Sequence, residues 1–169
     1  MADQIPLNQP SRDQVLALIN RDNGLNFTFQ LIEFATPQYF GGDRNTSLEV
    51  TAIPGQGLTG SVTVTYNRLD LGLLFQDNPP AVVGNQVDTS TKLADLMNDT
   101  YGLMLEEEDI VVEPINGSTH LLKAAPGSYA WIGEVVVQIF APNTPINTHV
   151  LYPHLDGYVY PPDESEPDV

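Results

Sequence analysis

The chain has 169 residues, no cysteine, and 22 acidic against six basic residues, for a net charge of −16. The length suffices to bury a core without metal or disulfide help, and the missing cysteine removes disulfides, thiolate catalysis and every Cys-based metal or redox site. The six basic residues, Arg12, Arg21, Arg44, Arg68, Lys92 and Lys123, are scattered rather than clustered, which argues against nucleic-acid binding.

Residues 1–10 carry Pro6 and Pro10 without periodicity and read as an extended arm. Ser11 with Gln14 three positions on has the form of a capping box, and Val15, Leu18 and Ile19 give a helical apolar stripe that ends near Asn23-Gly24. Phe27, Phe29 and Leu31 alternate as a strand, with Ile32 to Phe34 extending the apolar run, until Pro37 and Gly41-Gly42 interrupt it.

RNTSLEVTAIPGQGLTGSVTVTYNRLDL, from Arg44 to Leu71, is the clearest signal. It reads as a hairpin, with Leu48, Val50, Ala52, Val62, Val64 and Tyr66 facing inward and Ser47, Glu49, Thr51, Ser61, Thr63 and Thr65 outward. Asp77-Asn78-Pro79-Pro80 cannot be regular structure, so residues 77–89 are expected to form a linker.

Ser90 or Thr91 is expected to cap a second helix with the stripe Leu93, Leu96 and Met97. The acidic run Glu106, Glu107, Glu108, Asp109 reads as a solvated turn, and Asn116-Gly117 as a turn ahead of a second hairpin over Thr119 to Phe140. Residues 142–169 are Pro-rich and acidic.

The second part echoes the first. Ala52 to Gly55 is matched by Ala124 to Gly127, Gly60 by Gly133, and Val62, Val64 and Tyr66 by Val135, Val137 and Ile139. Leu18, Asn20, Gly24, Leu25 and Ile32 align with Leu96, Asn98, Gly102, Leu103 and Ile110. The expected architecture is therefore a β-rich α+β chain of two tandem pseudo-repeats, residues 11–76 and 90–141, each a short helix followed by a strand and a hairpin, with extended arms at both ends.

Residues able to carry chemistry do not assemble into a known pattern. His149 and His154 lie five apart with Pro153 between them, Asp156 is close behind, and no third nitrogen or sulfur ligand is near. The Glu106–Asp109 run lacks the alternating ligands and central glycine of a calcium loop. No Gly-x-Ser-x-Gly elbow accompanies His120, which reads as a half-exposed strand residue, and Gly55, Gly57 and Gly60 sit in a hairpin turn rather than at a helix start. Paired carboxylates such as Asp70 and Asp156 could in principle act together in acid–base hydrolysis, although nothing in the sequence brings them together. Trp131, Tyr129 and Tyr158, with Phe140, could stack on a sugar, or Trp131 could cover the core edge. No catalytic, cofactor or metal residues are assigned on this basis.

RNTSLEVTAIPGQGLTGSVTVTYNRLDL, LADLMNDTYGLMLEEEDIV and LDGYVYP resemble a family of virion structural proteins, of unassigned detailed role, from large-genome tailed bacteriophages. The resemblance spans about Val15 to Pro161 and implies a non-enzymatic particle component, made in the host bacterial cytoplasm, whose partners are copies of itself and other virion proteins. The tail, collar or fibre-attachment region is the expected location. A capsid decoration protein is the alternative, and a carbohydrate-binding module is the alternative of another class. No apolar run reaches the ~18 to 20 residues of a membrane span and no signal peptide is legible, so a soluble protein is expected. The arms, residues 1–10 and 160–169, have too few apolar residues to offset their ordering entropy alone and are expected to lie against other subunits.

Overall fold

The structure, a computed structural model, describes residues 5–40 and 43–144. It is an α+β fold with more strand than helix, built as two small helix-covered sheets joined by a short parallel ladder.

Helix α1 spans Ser11–Asn23 and places Val15 and Ile19 in the first core. Pro10 precedes its first turn and accepts from the N–H groups of Asp13 and Gln14. The expected capping box does not form, because Ser11 lies inside the helix with its hydroxyl buried and unpartnered. Gln14 reaches back instead, its side-chain amide donating to the carbonyl of Gln9 at 2.7 Å. Leu7 packs against the second core, so this part of the arm touches the body of its own chain. Residues 160–169 lie outside the described residues.

Asn20 explains why no strand forms over Phe27 to Leu31. Its side chain accepts from the N–H of Phe27 at 2.8 Å and donates to the carbonyl of Phe27 at 2.9 Å, while the N–H groups of Leu31 and Ile32 turn onto the carbonyl of Thr28. These local bonds use the groups a ladder needs. The strand β1 therefore starts only at Ile32–Phe34. With β2 (Gln38–Tyr39) it lines one side of the central β3 (Thr46–Ala52), and β4 (Ser61–Tyr66) pairs antiparallel on the other side, from Thr46 opposite Tyr66 to Thr51 opposite Ser61. Ile32, Leu48, Val50 and Tyr66 meet Val15 and Ile19 in the core. The inward face is as expected, but its depth is not: Val64 is half-buried and Val62 is 59% exposed.

The link to the second part is β5 (Leu69–Asp70), parallel to β8 (Trp131–Ile132), followed by the single turn α2 (Leu71–Leu74). The carboxylate of Asp70 accepts from the N–H groups of Gly72 and Leu73. Gly133 must be glycine here, because its φ is +75° and a Cβ would come within 2.5 Å of the Asp70 carboxylate. The expected linker holds a strand: β6 (Ala81–Val83) runs parallel to β9 (Glu134–Phe140) and buries Val82.

Helix α3 spans Ser90–Tyr101 and is capped by Thr89, one residue earlier than expected. The chain then passes through a 3-10 turn at Glu107–Asp109 to β7 (Thr119–Lys123), which pairs antiparallel with β9. Val135, Val137 and Ile139 point inward onto Leu93, Met97, Leu122 and Trp131. Full burial of each such side chain contributes roughly 1.5–3 kcal/mol.

Local geometry recurs between the two parts. Asn98 clasps Leu105 as Asn20 clasps Phe27, at 2.8 and 2.9 Å in both cases. Gly24 and Gly102 end their helices at φ +64° and +66°. The N–H of Ala52 donates to Gly60 and that of Ala124 to Gly133, both at 2.9 Å, while Ile32 pairs with Ala52 and Ile110 with Ala124.

Candidate functional site

Several buried polar side chains, Thr46, Arg68, Asp109 and Ser128, gather at the joint between the two sheets. Arg68 follows β4 and is only 8% exposed. Its Nε donates to Thr46 Oγ1 at 2.8 Å, and its Nη1 donates to the carbonyls of Ser128 at 2.9 Å and Pro126 at 3.0 Å. Asn45 brackets the backbone of Arg68, accepting from its N–H and donating to its carbonyl. The guanidinium thus crosses from the first sheet to the turn before β8. Burial lowers its pKa, and the nearby Tyr66 acts in the opposite direction.

Tyr66 makes a second crossing, its hydroxyl donating to the carbonyl of Tyr129 at 2.7 Å. Burial pushes this phenol well above its ordinary value, with Arg68 opposing and Tyr129 adding to the shift. A third element joins at Ser128. Its hydroxyl donates to Asp109 Oδ1 at 2.6 Å and accepts from the N–H of Trp131 at 3.1 Å, while Asp109 Oδ2 accepts from the N–H of Glu106. Asp109 and Trp131 are both fully buried. The acidic run is therefore not a wholly solvated turn, since its last member is a core residue. Desolvation raises the pKa of Glu106, helped by Glu108, Asp109 and Asp13.

Two grooves flank this joint. The first, of about 330 Å³, is apolar and is lined by Ile5, Leu7, Leu18, Tyr66, Leu69 and Ala130. The second, of about 350 Å³, runs between α1 and β4, with Val15, Leu18 and Val64 on its floor and Arg21, Asp22 and Arg44 at its rim.

A separate polar cluster ties α3 to β7. Ser90 Oγ lies 3.1 Å from His120 Nε2 and accepts from the N–H of Glu113, whose carboxylate meets Lys123 Nζ at 3.1 Å. Burial lowers the pKa of His120, with Glu113 opposing and Lys123 adding to the shift. Ser90 has no exposed surface, so its hydroxyl serves here as a tie between elements and is closed to a substrate. His120 is half-buried, as its strand position implies.

Of the other residues singled out in the sequence, His149, His154, Asp156 and Tyr158 lie outside the described residues. Trp131 is in the core and offers no stacking face, which corrects the reading of an exposed aromatic patch, while Tyr129 is half-buried and tilted against Phe34. Asp70 is a helix cap. Gly55, Gly57 and Gly60 all have φ above +80°, so the hairpin turn accounts for them. Among the described residues, no group of three or more His, Cys, Asp and Glu side chains is placed to hold a metal, and no helix is long and apolar enough to cross a membrane.

Sequence reasoning missed Arg68, Asp109 and Ser128. The side-chain bonds that tie them across the joint span 19 to 60 positions, and no local spacing announces those.

The fold and this joint define an α+β protein whose inward polar residues hold backbone turns together. The chain belongs to a family of unknown function, DUF7941, with the match covering residues 4–168. No curated protein and no solved structure matches it.

Proposed function

We propose that this chain is a non-enzymatic structural component of a tailed bacteriophage virion, assembling in multiple copies in the tail, collar or fibre-attachment region. The resemblance of the Arg44–Leu71 stretch and its companions to virion structural proteins motivates the reading. The observation that carries it is the use of the interior polar groups: Arg68, Asp109 and Ser128 bond to backbone and to one another at the joint between sheets and make that joint specific. Such a joint gives a rigid building block.

Tandem duplication belongs to the same proposal, with residues 11–76 and 90–141 as the two copies. The paired Asn20 and Asn98 clasps, the paired glycine helix ends and the equivalent hairpin bonds support it. Duplication would present related surfaces twice per chain, which suits a ring or lattice. Quantitative mass spectrometry of purified virions, with imaging of the particle, tests the reading: many copies per particle are expected, and absence from particles would remove it.

A further inference from the structure

We infer that the open edge of β4 is a self-association surface, at which a second copy of this chain pairs its own β4 antiparallel to the first. The inference rests on the assembly reading above and names the surface through which copies meet.

The hydrogen-bond alternation identifies the edge. Ala52 donates to Gly60, and from there the register places residues 62, 64 and 66 in bonds to β3. The N–H and C=O groups of Ser61, Thr63 and Thr65 therefore point away from β3, and among the described residues β4 pairs with β3 alone. The second sheet covers the corresponding edge. There Gln138 donates to Pro80 at 2.9 Å, Gly84 donates to Phe140 at 3.0 Å, and β6 lies alongside β9. In that covered sheet Val135, Val137 and Ile139 are all buried; of their counterparts Val62, Val64 and Tyr66, only Tyr66 is.

The occupant is a second copy because the edge fits itself. Ser61–Tyr66 carries no charge and no proline, the devices by which exposed edges usually prevent pairing. Centred on Thr63, an antiparallel pair sets Thr63 against Thr63, Val62 against Val64 and Ser61 against Thr65, all favourable cross-strand neighbours. A two-fold contact requires this self-complementarity. The incoming Val62 and Val64 lie on the α1 side, over the groove floor of Val15 and Leu18. Charge points the same way. Copies of a chain at −16 repel over most of their surface, yet this groove is lined by Arg44 and by Arg21 and Asp22, which pair with each other at 2.7 Å, and so is not acidic. A contact built on one short strand buries less than the ~1,000 Å² of a stable isolated interface, so pairing is weak and reversible in solution.

Sedimentation velocity of the full chain over a concentration series tests this. A reversible dimer is expected, weakened roughly tenfold or more by Thr63→Pro and by Val62→Lys. Thr63 makes no backbone bond to β3, so proline there spares the chain's own ladder. Should Thr63→Pro unfold, Val62→Lys alone decides. Val136→Lys, at an exposed position of the second sheet, is expected to dimerise as the parent does. A parent that stays monomeric throughout, or variants that dimerise like the parent, would overturn the inference. A monomeric parent found in many copies in virions would overturn the edge contact and leave the assembly reading standing. A β4-dependent dimer absent from virions would do the reverse.

Discussion

Arg68 bonds Thr46 on one side of the joint and the carbonyls of Pro126 and Ser128 on the other, so its removal strands several buried polar groups at once. Arg68→Met is expected to cost about 2–3 kcal/mol, read as a thermal midpoint lower by roughly 4–12 °C. Arg68→Lys should recover only part of this, because an ammonium cannot reproduce the planar fork. Tyr66 makes a pH-dependent prediction. Its folded pKa is raised above the ordinary 10.0, so as pH rises through 10 the unfolded phenol ionises while the buried one stays neutral. The stability this group contributes is complete below pH 10 and is lost progressively above it. Thermal melts across that range should show the decline in the parent and a shallower one in Tyr66→Phe. These residues were hard to read in the sequence for one physical reason. Arg68 looks like one of six scattered cations, and Asp109 like the end of a solvated acidic run, until the fold brings Ser128 between them.

Elements were legible where their determinants are local. The helix stripes, the glycine helix ends and the inward face of each hairpin follow from spacings of two to four residues, and the structure has them. What failed was decided by competition or by distance. The strand expected over Phe27 to Leu31 lost its backbone groups to Asn20 and Thr28, and the expected linker over 77–89 gained a strand because β9 had an edge to offer. Asn20→Ala and Asn98→Ala each remove two hydrogen bonds of the same geometry, so both should destabilise by about 1–3 kcal/mol and by similar amounts in denaturant melts. Unequal losses would count against the duplication. Val137→Asp puts a carboxylate at a fully buried position and should abolish folding, whereas Val64→Asp, at a half-buried one, should give a folded but less stable protein. Thr63→Asp is expected to leave the fold intact, because Thr63 faces outward.

At the scale of the whole molecule, a charge of −16 sits on two sheets tied together by buried polar side chains. The first sheet ends in an uncharged edge, the second is already completed by β6, and the joint between them fixes one arrangement of the two. Where in a particle the proposed virion component would sit is not legible in the sequence, since acidity suits a tail lumen and an outer decoration equally. The virion proposal is tested by counting copies of this chain in purified tailed-phage particles whose genome carries its gene, by quantitative mass spectrometry against the major capsid protein. A stoichiometric presence is expected, many copies per particle and constant between preparations. A chain abundant in infected-cell lysate but missing from purified particles would contradict it.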